Sequence, residues 1–190
     1  MSDVGTAQRQ GGILRATARL IARQGFAETN LRQIAREAGM SSGTLHYYFP
    51  SKDELLDALV LKAVSPLYHK SCEILQREAH PREVLAELVE MTFELFDANW
   101  DMYHVALQLG DHVRARKPAE FPSAMKALEE WVRRGQEAGL VRQGDALVLA
   151  MLCQGMILRV QRARVFGELK PPLGRFAEEV VESCWRVLEP

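Results

Sequence analysis

Cysteine is scarce in this sequence: three among 190 residues, Cys72, Cys153 and Cys184, with no second cysteine at metal-ligand spacing. That spacing argues against a zinc-built domain, and the odd number argues against a disulfide framework. Each cysteine reads as a small packing residue in a reducing compartment. No run of roughly 18 apolar residues stands out, which argues against a membrane span. The opening MSDVGTAQRQGG lacks the apolar core of a secretory signal, so no membrane association and a cytoplasmic location are expected. Internal repeats, low-complexity stretches and convincing strand patterns are missing. Glycine-rich phosphate loops and nucleophile motifs are missing as well, so no cofactor, metal or catalytic residue is expected. Asp101-x-x-His104 and Asp111-His112 come nearest to an acid–base pair or a ligand set. Three converging metal ligands are hard to assemble from them, and lone helical histidines usually belong to a surface or a satisfied core. An enzyme is therefore the weaker reading.

With 47% hydrophobic and 26% charged residues, the chain has a globular composition. Its net charge of −1 hides an uneven distribution. Between Arg9 and Arg36 stand six arginines and one acid, Glu28; between Ala63 and Glu120, six basic residues face ten acidic ones. A basic head on an acidic body suits anion binding at the N-terminal end, although the arginines would equally solubilise a helix face.

The chain reads as all-α. In ILRATARLIARQG, Ile13, Leu14, Thr17, Leu20 and Ile21 form one stripe, and Gly25 suits the residue that ends such a helix. NLRQIAREAG follows as a helix of about two turns, with Asn30 and Gln33 as a capping box. Only Met40 and Ser41 separate Gly39 from a third helix that Pro50 ends, and Ser51–Lys52–Asp53–Glu54 then opens a fourth. Two short helices joined by a tight glycine-containing turn make a helix-turn-helix unit. Further helices are expected near residues 55–78, 81–98, 101–111, 122–138, 145–167 and 173–188, with a loose tail over residues 1–8.

The third helix, SGTLHYYF, carries four aromatic rings in a row, and only some of them can face one core. Leu45 and Phe49, four apart, define the buried side. Gly43 and Tyr47 then face away from it, flanked by Thr44 and His46, with Tyr48 at the edge. The second helix of a helix-turn-helix reads base edges in the DNA major groove with such a face. Gly43 lets the backbone approach closely, Ser42 and Thr44 offer hydroxyls, and His46 and Tyr47 combine an apolar ring with a polar group. Packing of the rings against another helix is the rival account, but it leaves the short helices and the basic leading helix unexplained.

GFAETNLRQIAREAGMSSGTLHYYFPSKDELL, Gly25 to Leu56, resembles the DNA-binding domain of the TetR family of bacterial transcriptional regulators. The matching residues include Thr29, Ile34-Ala35, Ala38-Gly39, Ser41, Gly43, Leu45, Tyr48-Phe49, Lys52 and Leu55. The resemblance implies a helix-turn-helix DNA-binding domain over residues 9–62, followed by a larger helical ligand-binding and dimerisation domain over 63–190. By position it implies DNA contacts at Thr29, Ser42, Gly43, Thr44, His46, Tyr47, Tyr48 and Lys52, with Thr29, Tyr48 and Lys52 on phosphates. His46 stands where the family more often has tyrosine, which leaves the base preference there open.

Beyond Ala63 the likeness is one of length and helical layout only. The family pairs its last two long helices across a dimer interface. Their apolar density here exceeds one stripe, and Met156, Val160, Val181 and Trp185 are the candidates for that interface. The segment EMTFELFDANWDMYHVALQLGDH concentrates aromatics, as an apolar ligand pocket would. Candidates for an effector site are Phe96, Trp100, Tyr103, His104, Leu107, Trp131 and Met151, although aromatics at helical spacing are more often core. The expected protein is a homodimeric repressor that binds a palindromic double-stranded DNA operator and is released by a small, largely apolar effector. The alternative is a DNA-binding regulator without a small ligand, controlled by a protein partner.

Overall fold

The computed structural model describes residues 3–190, with side chains from Gly5 onward. Among them the chain forms helices α1 (Asp3–Gln24), α2 (Leu31–Glu37), α3 (Ser42–Tyr48), α4 (Lys52–Leu75), α5 (Pro81–Ala98), α6 (Trp100–Arg116), α7 (Met125–Glu137), α8 (Ala146–Val165) and α9 (Ala177–Leu188). A 3₁₀ turn, Leu173–Phe176, precedes α9. The described residues contain no strand.

The helices group into two compact units, residues 3–64 with 100–121, and residues 65–99 with 122–190. The boundary in α4 falls just before Pro66, which lies inside the helix and deprives the Lys62 carbonyl of its usual donor. The sequence expectation assigned everything beyond residue 62 to the second domain; α6 instead belongs to the same unit as the N-terminal helices. The expected loose tail also differs. Helix α1 already runs from Asp3, and only Met1 and Ser2 lie outside the described residues.

In the first unit α1 packs on α2 and α6, and α2 on α3. The shared core joins Ile13, Leu14, Ile21, Ile34, Leu45, Phe49, Leu56 and Leu59 with Val105 and Val113 of α6. Helix ends are set locally. Gly25 and Gly39 take φ of 83° and 68°, a left-handed turn costly for any residue with a β-carbon, and there α1 and α2 stop. Asn30 accepts from the Gln33 amide while the Gln33 side chain accepts from the Asn30 amide, closing the capping box. Glu37 of α2 binds Arg23 (2.8 Å) and Arg19 (3.6 Å) of α1. Buried Asp57 of α4 pairs with Arg116 in the last turn of α6.

In the second unit α7 packs on α8, α5 on α9, and α8 on α9. Phe93, Phe96, Leu85, Val89, Trp131, Val132, Leu149, Ala150, Cys153, Val181 and Cys184 are buried there. Arg134 donates to the Leu75 carbonyl at the end of α4, and the Asp97 carboxylate accepts from the Leu173 amide (2.5 Å) at the start of the 3₁₀ turn. The sequence reading found no segment apolar enough for a bilayer, but α8 is long and apolar enough by length and composition. Its packing accounts for this. Leu149, Ala150, Cys153 and Ile157 face inward, while Val148, Met151 and Leu152 are about half exposed on the opposite side.

Candidate nucleic-acid interface

Helix α3 is seven residues long and leaves little choice about its faces. Ser41 caps it: its hydroxyl accepts from the Thr44 amide (3.1 Å) and lies 2.8 Å from the Thr44 hydroxyl. Leu45, fully buried, and Phe49, 6% exposed, anchor it to the first unit's core. Gly43, Thr44 and His46 are exposed, and Tyr47 is 78% exposed, far from the usual burial of a tyrosine ring. Tyr48 is half-buried against the core, with its ring edge-on to Tyr47 at 5.3 Å. Ser42 is half-buried at the helix start. A β-carbon at Gly43 would meet nothing closer than the Ser41 hydroxyl at 3.9 Å, so its lack of a side chain leaves this end of α3 open to close approach. The helix thus shows solvent one continuous patch of hydroxyl, imidazole and phenol, with bare backbone at one end.

Two of the residues expected on DNA have other work. Thr29 is 2% exposed, and its hydroxyl donates to the Gly25 carbonyl (2.7 Å). That bond closes the α1–α2 turn and corrects the expectation of a phosphate contact through its side chain. Lys52 is half-buried, with Nζ 4.1 Å from the centre of the Phe26 ring and 3.4 Å from the Ala27 carbonyl that accepts from it. It braces the same turn and keeps a charge there. Of the basic residues of α1, Arg9 and Arg15 are exposed, whereas Arg19 and Arg23 are held by Glu37. Arg32 and Arg36 are exposed on α2 and were not singled out from sequence. Their signal was their place on the polar face of the first helix of the motif.

The effector candidates divide between the two units. Trp100, Tyr103, His104 and Leu107 lie in the first unit, and Phe96, Trp131 and Met151 in the second. Trp100 and His104 stack edge-on at 4.9 Å. Tyr103 is 5% exposed, and burial pushes its hydroxyl up to about 12, so it stays protonated at neutral pH. Phe96 is fully buried in the second unit's core and Trp131 nearly so. Met151 is corrected from pocket residue to surface residue, being 51% exposed on the outward side of α8. A cleft of about 340 Å³ does exist in the second unit, between α4 and α5, but Lys70, Glu73, Ile74, Glu87, Glu90, Met91 and Glu94 line it and none of the candidates does.

Of the dimer candidates, Met156, Val160 and Trp185 are half-buried. Val181 is 6% exposed and packs inside its own protomer, because α9 turns that face to the core. The outward apolar residues the sequence reading passed over are Val148 and Leu152, which with Met151 and Gly155 recur at three and four positions along α8. That spacing was the signal.

Residues 13–59 match the family described as bacterial regulatory proteins, tetR family. The transcriptional repressor KstR2 of Mycobacterium tuberculosis H37Rv is 34% identical over 89 residues, which cover 47% of this chain and 44% of that protein. The chain therefore spans less than half the length of that relative. Among solved structures, the regulator FadR from Bacillus subtilis in complex with stearoyl-CoA aligns with TM-score 0.78 at 21% identity, covering 91% of this chain and 96% of that one. AibR in complex with isovaleryl coenzyme A and operator DNA aligns with TM-score 0.76 at 24% identity, covering 96% and 98%.

Proposed function

We propose that this chain is a member of the tetR family of bacterial regulatory proteins, a repressor that binds a near-palindromic operator as a homodimer in the cytoplasm. The observation that carries the reading is the two-sided character of α3: Leu45 and Phe49 hold it to the core while Gly43, Thr44, His46 and Tyr47 stand free on one side. Each protomer lays that side in a major groove, with half-sites about 34–36 Å apart or a multiple of it. Exposed Arg9, Arg15, Arg32 and Arg36 contribute the phosphate attraction, which salt weakens. The DNA-binding domain is residues 9–62 joined by α6, and the remaining helices serve the effector and the dimer. The outward side of α8, Val148, Met151, Leu152 and Gly155, forms the seam between copies.

The effector is an apolar molecule with a polar end, and an acyl thioester of coenzyme A is the first candidate. The support is that FadR and AibR, alike in fold, were each solved with such a thioester. Fluorescence anisotropy against labelled DNA from the upstream region of its own gene tests the DNA reading. Tight binding that falls steeply with salt and is weakened in Tyr47→Ala supports it, and binding indifferent to sequence refutes it. A thermal-shift series of acyl-CoA thioesters of increasing chain length tests the effector class, because a ligand of the folded state alone raises apparent stability. No shift at any length, with DNA binding intact, would replace the small effector by a protein partner.

A further inference from the structure

Two of the three cysteines, 31 positions apart in sequence, face each other where α8 crosses α9. The Cys153 sulfur lies 4.0 Å from the Cys184 carbonyl oxygen, and the Cys184 sulfur 3.8 Å from that of Cys153. This reciprocal arrangement requires the two backbones to approach closely at that level, as a disulfide between helices also requires. The third cysteine, Cys72, sits half-buried on α4. We infer that Cys153 and Cys184 are a redox-active dithiol that closes to an intramolecular disulfide across α8 and α9 in the presence of a small hydroperoxide. The inference rests on the second unit's own packing and is independent of the DNA reading.

The chemistry of the pair favours the first step. Each thiol points at the other residue's carbonyl oxygen, and the interaction of the two side chains lowers the pKa of the Cys184 thiol and raises that of Cys153, with burial adding to the rise. Cys184 is thus the sulfur that ionises and attacks. Its thiolate displaces hydroxide from the hydroperoxide, forming a sulfenic acid. The Cys153 sulfur then attacks the sulfenic sulfur, forming the S–S bond as water leaves, and the hydroxide takes up the remaining proton. Two thiols lose two electrons, and hydrogen peroxide is reduced to two waters. Exposures of 1% and 0% close both sulfurs to a bulky disulfide, and hydrogen peroxide, little larger than water, enters through local opening of the α8–α9 packing.

The test is oxidation of the full-length protein with hydrogen peroxide, followed by thiol counting in denaturant and peptide mapping under non-reducing conditions. The expected result is a fall from three titratable thiols to one, a mass loss of two hydrogens, and a tryptic pair joining residues 143–159 to 176–186. Dithiothreitol should restore all three thiols. Cys72→Ser should leave the cross-link in place, and Cys184→Ser should abolish it. Because a serine at either buried site can impair folding, the wild-type peptide map decides. Three surviving thiols under peroxide that oxidises a free model thiol would overturn the inference, and so would a bridge through Cys72 or between two chains.

Discussion

Leu45 and Tyr47 stand two positions apart on the same short helix, and substitutions there separate stability from recognition. Tyr47→Ala removes a ring that is 78% exposed, so its melting transition should stay within about 0.5 kcal/mol of the parent. Operator affinity should fall by about 1–3 kcal/mol, read by anisotropy. Leu45→Ala empties a fully buried site and should cost about 2–5 kcal/mol in urea denaturation, with DNA binding lost only as far as the protein unfolds. At Gly135 the limit is space. A β-carbon there would come within 2.5 Å of Val141 Cγ2 and 3.1 Å of its Cβ, so Gly135→Ala should destabilise by about 1–3 kcal/mol. The orientation of α3 was legible from sequence because Leu45 and Phe49 are four apart and a helix has a fixed period. The roles of Thr29 and Lys52 were not, since they depend on the Gly25 and Ala27 carbonyls and the Phe26 ring, which only the folded turn brings within reach.

Single ion pairs tie the helices of the first unit together. The Glu37 carboxyl is held below its ordinary value, first by the hydrogen bond from Arg23 and then by the charges of Arg23 and Arg19. A carboxylate with a lowered folded-state pKa binds protons less readily than the unfolded chain does. Its contribution is therefore present above about pH 4.5, the unfolded value, and is lost as pH falls through the lower folded value. In Glu37→Gln, the drop in melting temperature between pH 7 and pH 3 should be smaller than in the parent. The same substitution releases Arg19 and Arg23, so the salt dependence of DNA binding should steepen. Asp57→Ala leaves Arg116 without its carboxylate. Because the Arg116 side chain keeps 29% of its exposure, the expected loss is about 2 kcal/mol, below the 3–5 of a fully buried pair. Helix limits were most legible where a residue type enforces them: Pro81, Gly25, Gly39 and the Asn30–Gln33 box. They were least legible where burial overrides propensity. The tail expected over residues 1–8 is instead the start of α1, which also runs through the poor helix formers Gly11 and Gly12 to Ile13 and Leu14, both held in the core. Helix α6 outlasts its expected end at Asp111, since Val113 and Arg116 find partners on the N-terminal helices.

At the scale of the whole protein, the proposed seam on the outward side of α8 can be tested directly. Leu152→Glu places a carboxylate in the middle of the proposed seam, and light scattering should show a monomer at concentrations where the parent is a dimer. The monomer should also bind the full operator more weakly while still melting cooperatively. The sequence suggested that α8 was too apolar for a single stripe, which is why an interface was expected there. It could not show which residues faced out, because the choice between Val181 and Leu152 depends on the angle at which α8 meets α9.

If copies pair along that bare strip as proposed, it also concerns the life of the chain before it has a counterpart. A newly made copy folds around Leu149 and Ile157 but leaves Val148, Met151 and Leu152 wet, with Phe166 exposed just beyond the helix end. Pairing is a second-order event, so the interval before a new molecule is covered lengthens as copies become fewer. A regulator kept at low abundance would then mature slowly and reach its operator only after a concentration-dependent delay. Pulse-labelled protein expressed at graded levels should show that delay shortening in proportion to expression, and in Leu152→Glu the dependence should vanish along with the pairing.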